Sequence, residues 1–140
     1  MKLHVIARGK IGRCPEADII ARYMARIRWP LTITELPEAI GAPSTPLSPH
    51  RTIALDEVGQ SLSSEDLATQ LGLWRDAGVR ECRFLIGAAN GLTDVERSSA
   101  DLMLSFGRAT FPHMLVRVML IEQLYRAITI LDGHPYHRSG

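Results

Sequence analysis

Short apolar or β-branched runs alternate with amphipathic stretches from one end of this sequence to the other. "KLHVIA" (2–7), "LTITEL" (31–36), "RTIALD" (51–56), "ECRFLIG" (81–87) and "RATF" (108–111) read as strands. Between them lie helical patterns. "PEADIIARYMARIRW" (15–29) puts Ile19, Ile20, Tyr23, Met24 and Ile27 on one face, with Pro15 in its first turn and Pro30 at its stop. Ser63 or Ser64 caps "SEDLATQLGLWRDAG", and Thr93-x-x-Glu96 caps "DVERSSADLMLSF". A last helix runs from about 113 to 131 and ends at Gly133. Strands that alternate with helices predict parallel pairing, because a parallel pair needs a crossover connection. The predicted fold is α/β, a parallel sheet with helices on both faces. Its 140 residues fit one domain, 1–140. Residues 37–50, "PEAIGAPSTPLSPH", hold prolines at 37, 43, 46 and 49 and are predicted as a surface loop.

In open parallel sheets, ligands sit beyond the carboxyl ends of the strands. Those ends are "LDEVG" (55–59), "IGAANG" (86–91) and "TFPHM" (110–114), so chemistry is expected there. Taken alone, a loop like that of "FLIGAANGL" is more often only a tight turn, and the same caution applies at 55–56, where Asp56 can simply cap or turn. "FLIGAANGL" (84–92) is neither GxGxxG nor a P-loop, and the glycines of "ARGKIG" have the wrong spacing for a dinucleotide fingerprint. Gly-x-Ser-x-Gly, HExxH and Walker A are all missing. Cys14 and Cys82 stand in no metal-like spacing and are expected as two buried free thiols in a reducing compartment. No metal site is predicted.

The net charge is +1, so the chain is not a polycation. Its basic residues are 14 Arg and two Lys. Arginine forks suit phosphates and base edges, while GC-rich codon usage produces the same bias without a function. "MKLHVIARGK" is too short in apolar residues for a signal peptide. Arg117, Glu122 and Arg126 interrupt the most apolar segment, so no membrane span is expected and the protein reads as cytoplasmic.

That last segment is apolar almost all round, which calls for burial on every side. A second subunit could complete the burial as a two-fold dimer, or the helix could form the core of a monomer. Glu122 and Arg126 are spaced as an intrahelical pair. Arg117, among apolar neighbours, needs a partner or an anionic ligand. His113 starts the helix, His4 lies in the first strand and His50 in the proline-rich loop. Each has an ordinary structural reading.

Four stretches, "LDEVGQSLSSEDLA", "FLIGAANGL", "LSFGRATFPHMLVRVMLIEQLYRA" and "GHPYHR", follow one another along the chain. In that order they resemble the RlmH family of SPOUT-class methyltransferases, most strongly over 84–138. The resemblance implies a sheet whose C-terminal part is threaded into a deep trefoil knot, an exception to the rule against knots. It implies S-adenosyl-L-methionine as cofactor and, as product, a pseudouridine methylated at N3 in the helix 69 loop of 23S ribosomal RNA. Leu55, Gly87 and the run Phe106, Gly107, Arg108, Ala109, Thr110 and Phe111 would hold the cofactor. The family is dimeric, and the tail of one subunit would close the partner's site with Tyr136, His137 and Arg138. A histidine suits acceptance of the imide proton, an arginine an anionic oxygen or phosphate, and a phenol ring stacking on the base. Ala88 stands where the family carries a second glycine and Met114 where it often carries proline. The short 37–50 segment replaces a longer basic insertion, so ribosome contact is expected to lean on shape. The alternative reading is a non-enzymatic RNA- or ribosome-binding module on the same fold.

Overall fold

A computed structural model describes residues 1–138. In chain order the elements are β1 (Lys2–Arg8), α1 (Pro15–Met24), β2 (Leu31–Leu36), β3 (His50–Ser61) and α2 (Ser64–Asp76). They continue with β4 (Glu81–Ile86), α3 (Asp94–Ser99), β5 (Leu102–Ser105) and α4 (His113–Asp132). The strands form one sheet in the order β2-β1-β4-β3-β5, and every pairing is parallel.

The local signals act where they stand in the sequence. Ser63 Oγ accepts the Asp66 amide at 3.0 Å. Thr93 and Glu96 cap each other reciprocally, with bonds of 3.0 and 3.1 Å. Gly133 adopts φ 72°, and the amides of Gly133 and His134 return to the carbonyls of Ile130 and Thr129. That is a Schellman end, which only a left-handed residue completes without strain.

Helices cover the two faces unequally. α1, α2 and α4 pack on the face formed by Leu3, Val5, Ile53, Phe84 and Ile86, where α4 buries Leu120, Ile121, Leu124 and Ile128. Each such side chain contributes about 1.5–3 kcal/mol on leaving water. The other face has a small apolar cluster of Ile6, Ala54, Leu85 and Leu92. Beside that cluster lies a buried polar group. His4 Nε2 is 2.6 Å from Thr34 Oγ1 and its Nδ1 is 3.4 Å from Glu81, which also takes a bond from Arg83. The proline-rich segment is tied down over it. Arg83 reaches Ser44, the Leu47 amide reaches Glu81, and Arg8 donates to the carbonyls of Pro37 and Ile40.

Three expectations need correction. "LMLS" is not the end of a long helix but β5, and 108–111 is an exposed loop rather than a strand. The helix stops at Ala100, whose ψ of 137° is extended, because Leu102–Leu104 pair with Ile53–Leu55 of β3. A four-residue apolar run has no period of its own, so only the neighbouring strand decides it. α1 stops at Met24, short of Trp29. Cys14 is half-buried, and only Cys82 is fully enclosed.

Candidate active site

β3 does not pair evenly with β5. Leu55 and Gln60 both stand opposite Leu104, so residues 56–59 are pushed out as a bulge. Gly59 permits this. A Cβ there would lie 2.7 Å from the Met103 carbonyl carbon. The bulge, the β4–α3 turn and the β5–α4 loop converge at the carboxyl edge of the sheet around a cavity of about 400 Å³. That volume is in the range of small-molecule and cofactor sites.

Leu55, Gly87, Phe106, Gly107, Ala109, Thr110 and Phe111 line the cavity, drawn together from three separate parts of the chain. Arg108 is exposed and is not among the lining residues. Gly87 has a reason to be glycine that involves no ligand. Its Cβ would fall 2.5 Å from the Gly91 carbonyl carbon across the tight turn. Gly107 differs. A Cβ there meets only the Phe111 ring, at 3.5 Å, but φ is 153°, where side chains are rarely found. Ala88 bridges Gly91 through a 2.8 Å backbone bond, so its methyl group is carried on an ordered turn.

Adjacent carboxylates on the bulge secure the other two loops. Asp56 Oδ1 accepts the Val58 amide at 3.0 Å, and its Oδ2 accepts Arg97 Nε at 2.7 Å. The Val58 amide first, and then the Arg97 guanidinium, hold this carboxyl below the usual range against the opposing effect of burial. Glu57 Oε2 accepts the Thr110 hydroxyl at 3.3 Å. Ser105 Oγ lies 3.1 Å from the Glu57 carbonyl and accepts the Gly107 amide at 3.0 Å. Asp56, Glu57, Arg97 and His113 all line the cavity, and sequence reading gave none of them a role there. The expected ligand segments 55–59 and 110–114 contain three of them, but no local pattern gives these side chains a role, since Asp56 and Glu57 pair with residues far along the chain.

The three tail residues stand elsewhere in this chain. None of Tyr136, His137 and Arg138 lines the cavity. Tyr136 packs edge-on against Tyr125 with ring centroids 4.6 Å apart, lies under Arg126, and donates its hydroxyl to Glu122 at 3.0 Å. Burial first, and then Tyr23 and Glu122, push its phenol up, so it is not a proton acceptor near neutral pH. His137 Nδ1 is 3.0 Å from Arg126 Nη1, and Nε2 is 2.7 Å from Glu65 Oε1. Arginine can only donate and a carboxylate can only accept. A tautomer with Nδ1 accepting from Arg126 and Nε2 donating to Glu65 satisfies both contacts. Arg138 is exposed. The expected Glu122–Arg126 pair is present at 2.6 Å and also anchors the tail.

The parallel sheet, the bulged third strand and the three-loop cavity define a class when set beside known proteins. The chain matches the family described as Predicted SPOUT methyltransferase over residues 1–137, and it belongs to that family of enzymes. Within it, the protein falls among the RlmH methyltransferases. It is 57% identical to the Ribosomal RNA large subunit methyltransferase H of Erythrobacter litoralis, with all of both chains covered. It is 59% identical to the protein of that name from Novosphingobium aromaticivorans, again over the whole of both. Among solved structures, a probable methylase family protein from Haemophilus influenzae superposes with a TM-score of 0.61 at 12% identity, covering 99% of this chain and 70% of the other. The SpoU methyltransferase AviRb from Streptomyces viridochromogenes, solved with AdoMet, gives 0.51 at 14%, covering 88% and 56%. These two likenesses concern the fold alone.

Proposed function

We propose that this protein methylates ribosomal RNA of the large subunit, at N3 of a pseudouridine in the helix 69 loop of 23S RNA, with S-adenosyl-L-methionine as cofactor. The observation that carries the reading is the single cavity to which the 55–57, 86–92 and 106–113 segments all contribute. Its makeup suits that cofactor. Apolar walls from Leu55, Ile86, Leu104 and Phe106 meet polar groups of Glu57 and Thr110, and the glycine at 107 leaves backbone open to the ligand. The names borne by the curated relatives cited above support ribosomal RNA as substrate, and the AviRb structure, solved with AdoMet, supports that cofactor. The deep trefoil knot of the C-terminal part belongs to the same proposal. So does a cytoplasmic location, where ribosomes are made. No helix of the described residues is long and apolar enough to cross a membrane, and they contain no cluster of metal-binding side chains.

The cofactor, when bound, supplies an activated methyl group. Leu55, Gly87, Phe106, Gly107, Ala109, Thr110 and Phe111 would hold it, and Arg108 is exposed beside them in the same loop. The protein's remaining work is to bring N3 into line and to take its proton. Here the tail acts from the second subunit of a homodimer. In its own chain it lies on α4 and α2, away from the cavity lining. The half-buried stripe of Tyr23, Val118, Met119 and Glu122 is the surface for the second copy. Tyr136 anchors the tail and offers a ring edge to the base. Arg138 meets a phosphate or the carbonyl oxygen on which charge develops. His137 takes the N3 proton once the Arg126 bond at Nδ1 yields, since that lone pair is engaged in the isolated chain.

Ribosomal particles lacking the modification test this reading. Purified protein with S-adenosylmethionine should place one methyl group on a helix 69 pseudouridine, read by nucleoside mass spectrometry. An unmethylated helix 69 under cofactor saturation would favour the RNA-binding module instead. Deleting 135–140 should spare cofactor binding and abolish transfer. Mixing that chain with a Gly107→Val subunit should restore part of the activity, because one site of the mixed dimer then has an intact loop and an intact tail.

A further inference from the structure

The cavity's charges do not match those of the chain. The protein is net positive and rich in arginine. Yet the side chains lining this cavity include one guanidinium, Arg97, against two carboxylates, Asp56 and Glu57. Arg97 is committed. It bonds Asp56 at 2.7 Å and has Asp94 at 3.6 Å. Glu57 has no ion-pair partner among the described residues, and its side chain receives one hydroxyl, that of Thr110. A ring of three loops thus holds an unneutralised carboxylate at the cavity wall.

The Glu57 backbone is also held in place. Its own carbonyl is bonded by Ser105, and the bulge on which it stands is pinned at Leu55 and Gln60. Gly59 sits against the Met103 backbone, where a side chain would not fit. A charge on a concave wall still contributes to the field in the space it lines, even where it is exposed to solvent. Such a site disfavours a phosphate and favours a cation.

We propose that Glu57 is a charge-reading determinant of this site, favouring the positively charged methyl donor over the spent cofactor. The inference rests on the cofactor reading above. Methyl transfer breaks the carbon–sulfur bond, both electrons remain on sulfur, and the positive charge there disappears. Donor and product are otherwise the same molecule, with the same adenosine and amino-acid groups. Shape and hydrogen bonding to those groups cannot separate them strongly. A carboxylate in the cavity wall can, because its attraction to the charged form would be lost in the product. Glu57 is solvent-exposed, so screening keeps the effect modest.

The test is calorimetry with full-length protein, comparing S-adenosylmethionine with S-adenosylhomocysteine in wild type and in Glu57→Gln. Glutamine keeps the size and the acceptor for Thr110 and removes only the charge. Binding of the methionine form should weaken by about three- to tenfold, the scale of one partly screened charge pair. Binding of the homocysteine form should change by less than about twofold on the same grounds. Added salt should erode the wild-type preference and leave the variant's ratio flat. Equal weakening of both ligands would place Glu57 at the shared ammonium group and overturn the proposal. Unchanged binding of both would overturn it as well. Wild-type protein that binds neither ligand would remove the cofactor reading itself, and this inference with it. Wild-type binding with an unaltered ratio in Glu57→Gln removes this inference alone.

Discussion

Arg117 of α4 donates to Glu35 of β2 at 2.5 Å and to the Gly9 carbonyl at 2.7 Å, joining the last helix to the strand at the edge of the sheet. The guanidinium is 2% exposed and the carboxylate 31%. Burial acts to raise the Glu35 carboxyl, but the bonds from Arg117 and the Ile11 amide bring it net below its ordinary range. The arginine therefore has its partner within the chain and needs no anionic ligand.

Arg117→Ala should cost about 3 kcal/mol, near the low end for a broken buried pair because Glu35 stays wet. Arg117→Met should cost clearly less. It keeps the stem's packing and removes Nε, which is buried without a partner. Urea denaturation of both variants checks this. Equal losses would mean that the pair, not the stem, carries the stability.

Acid should weaken the fold in two stages. Burial, outweighing the opposing bond from Glu81, holds His4 below its ordinary 6.5. The unfolded chain thus takes up this proton first. The stability it contributes is complete above pH 6.5 and is lost as pH falls through the folded value. Glu81 is also depressed, since its bonds from Arg83 and Leu47 outweigh burial, and adds a second loss below its ordinary 4.5. His4→Gln should flatten the first stage and leave the second, as read from melting temperature against pH.

Gly87→Ala and Gly107→Ala should fail in different ways. At 87 the new methyl group meets backbone at 2.5 Å, so stability should fall by about 1–3 kcal/mol, the usual cost of overpacking. At 107 nothing lies closer than 3.5 Å. The loop should bear the strain, and the defect should show mainly as weaker cofactor binding. Calorimetry beside thermal melts separates the two, and a larger melting loss at 107 would contradict the prediction.

The two cysteines should differ in reactivity. Cys82 is fully buried in β4, and burial pushes its thiol well up from 9.0. Cys14 is half-buried just before α1, with its thiol 3.6 Å from the Ile11 carbonyl. An aromatic disulfide reagent should consume one thiol equivalent in the native protein and the second only in denaturant. Two fast equivalents would show that β4 opens readily.

Much of this protein is legible from the sequence by itself, because those features act over a few residues. Ser63, the Thr93–Glu96 box and Gly133 meet backbone within one helical turn, so their positions mark helix ends directly. Alternation of strands and helices predicts parallel pairing, and the expected ligand segments 55–59, 86–91 and 110–114 all contribute to the cavity. Tertiary structure alone decides the rest. "LMLS" becomes β5 because β3 is beside it, and it stops the helix that its own residues would have continued. The 56–59 bulge exists because Leu55 and Gln60 share Leu104, a register that neither strand specifies alone. Asp56 finds Arg97 41 residues away and Arg117 finds Glu35 82 residues away. Periodicity measures which face of an element is apolar. It contains no information about which distant charge will be brought to that face, and the chemistry of this cavity depends on such encounters.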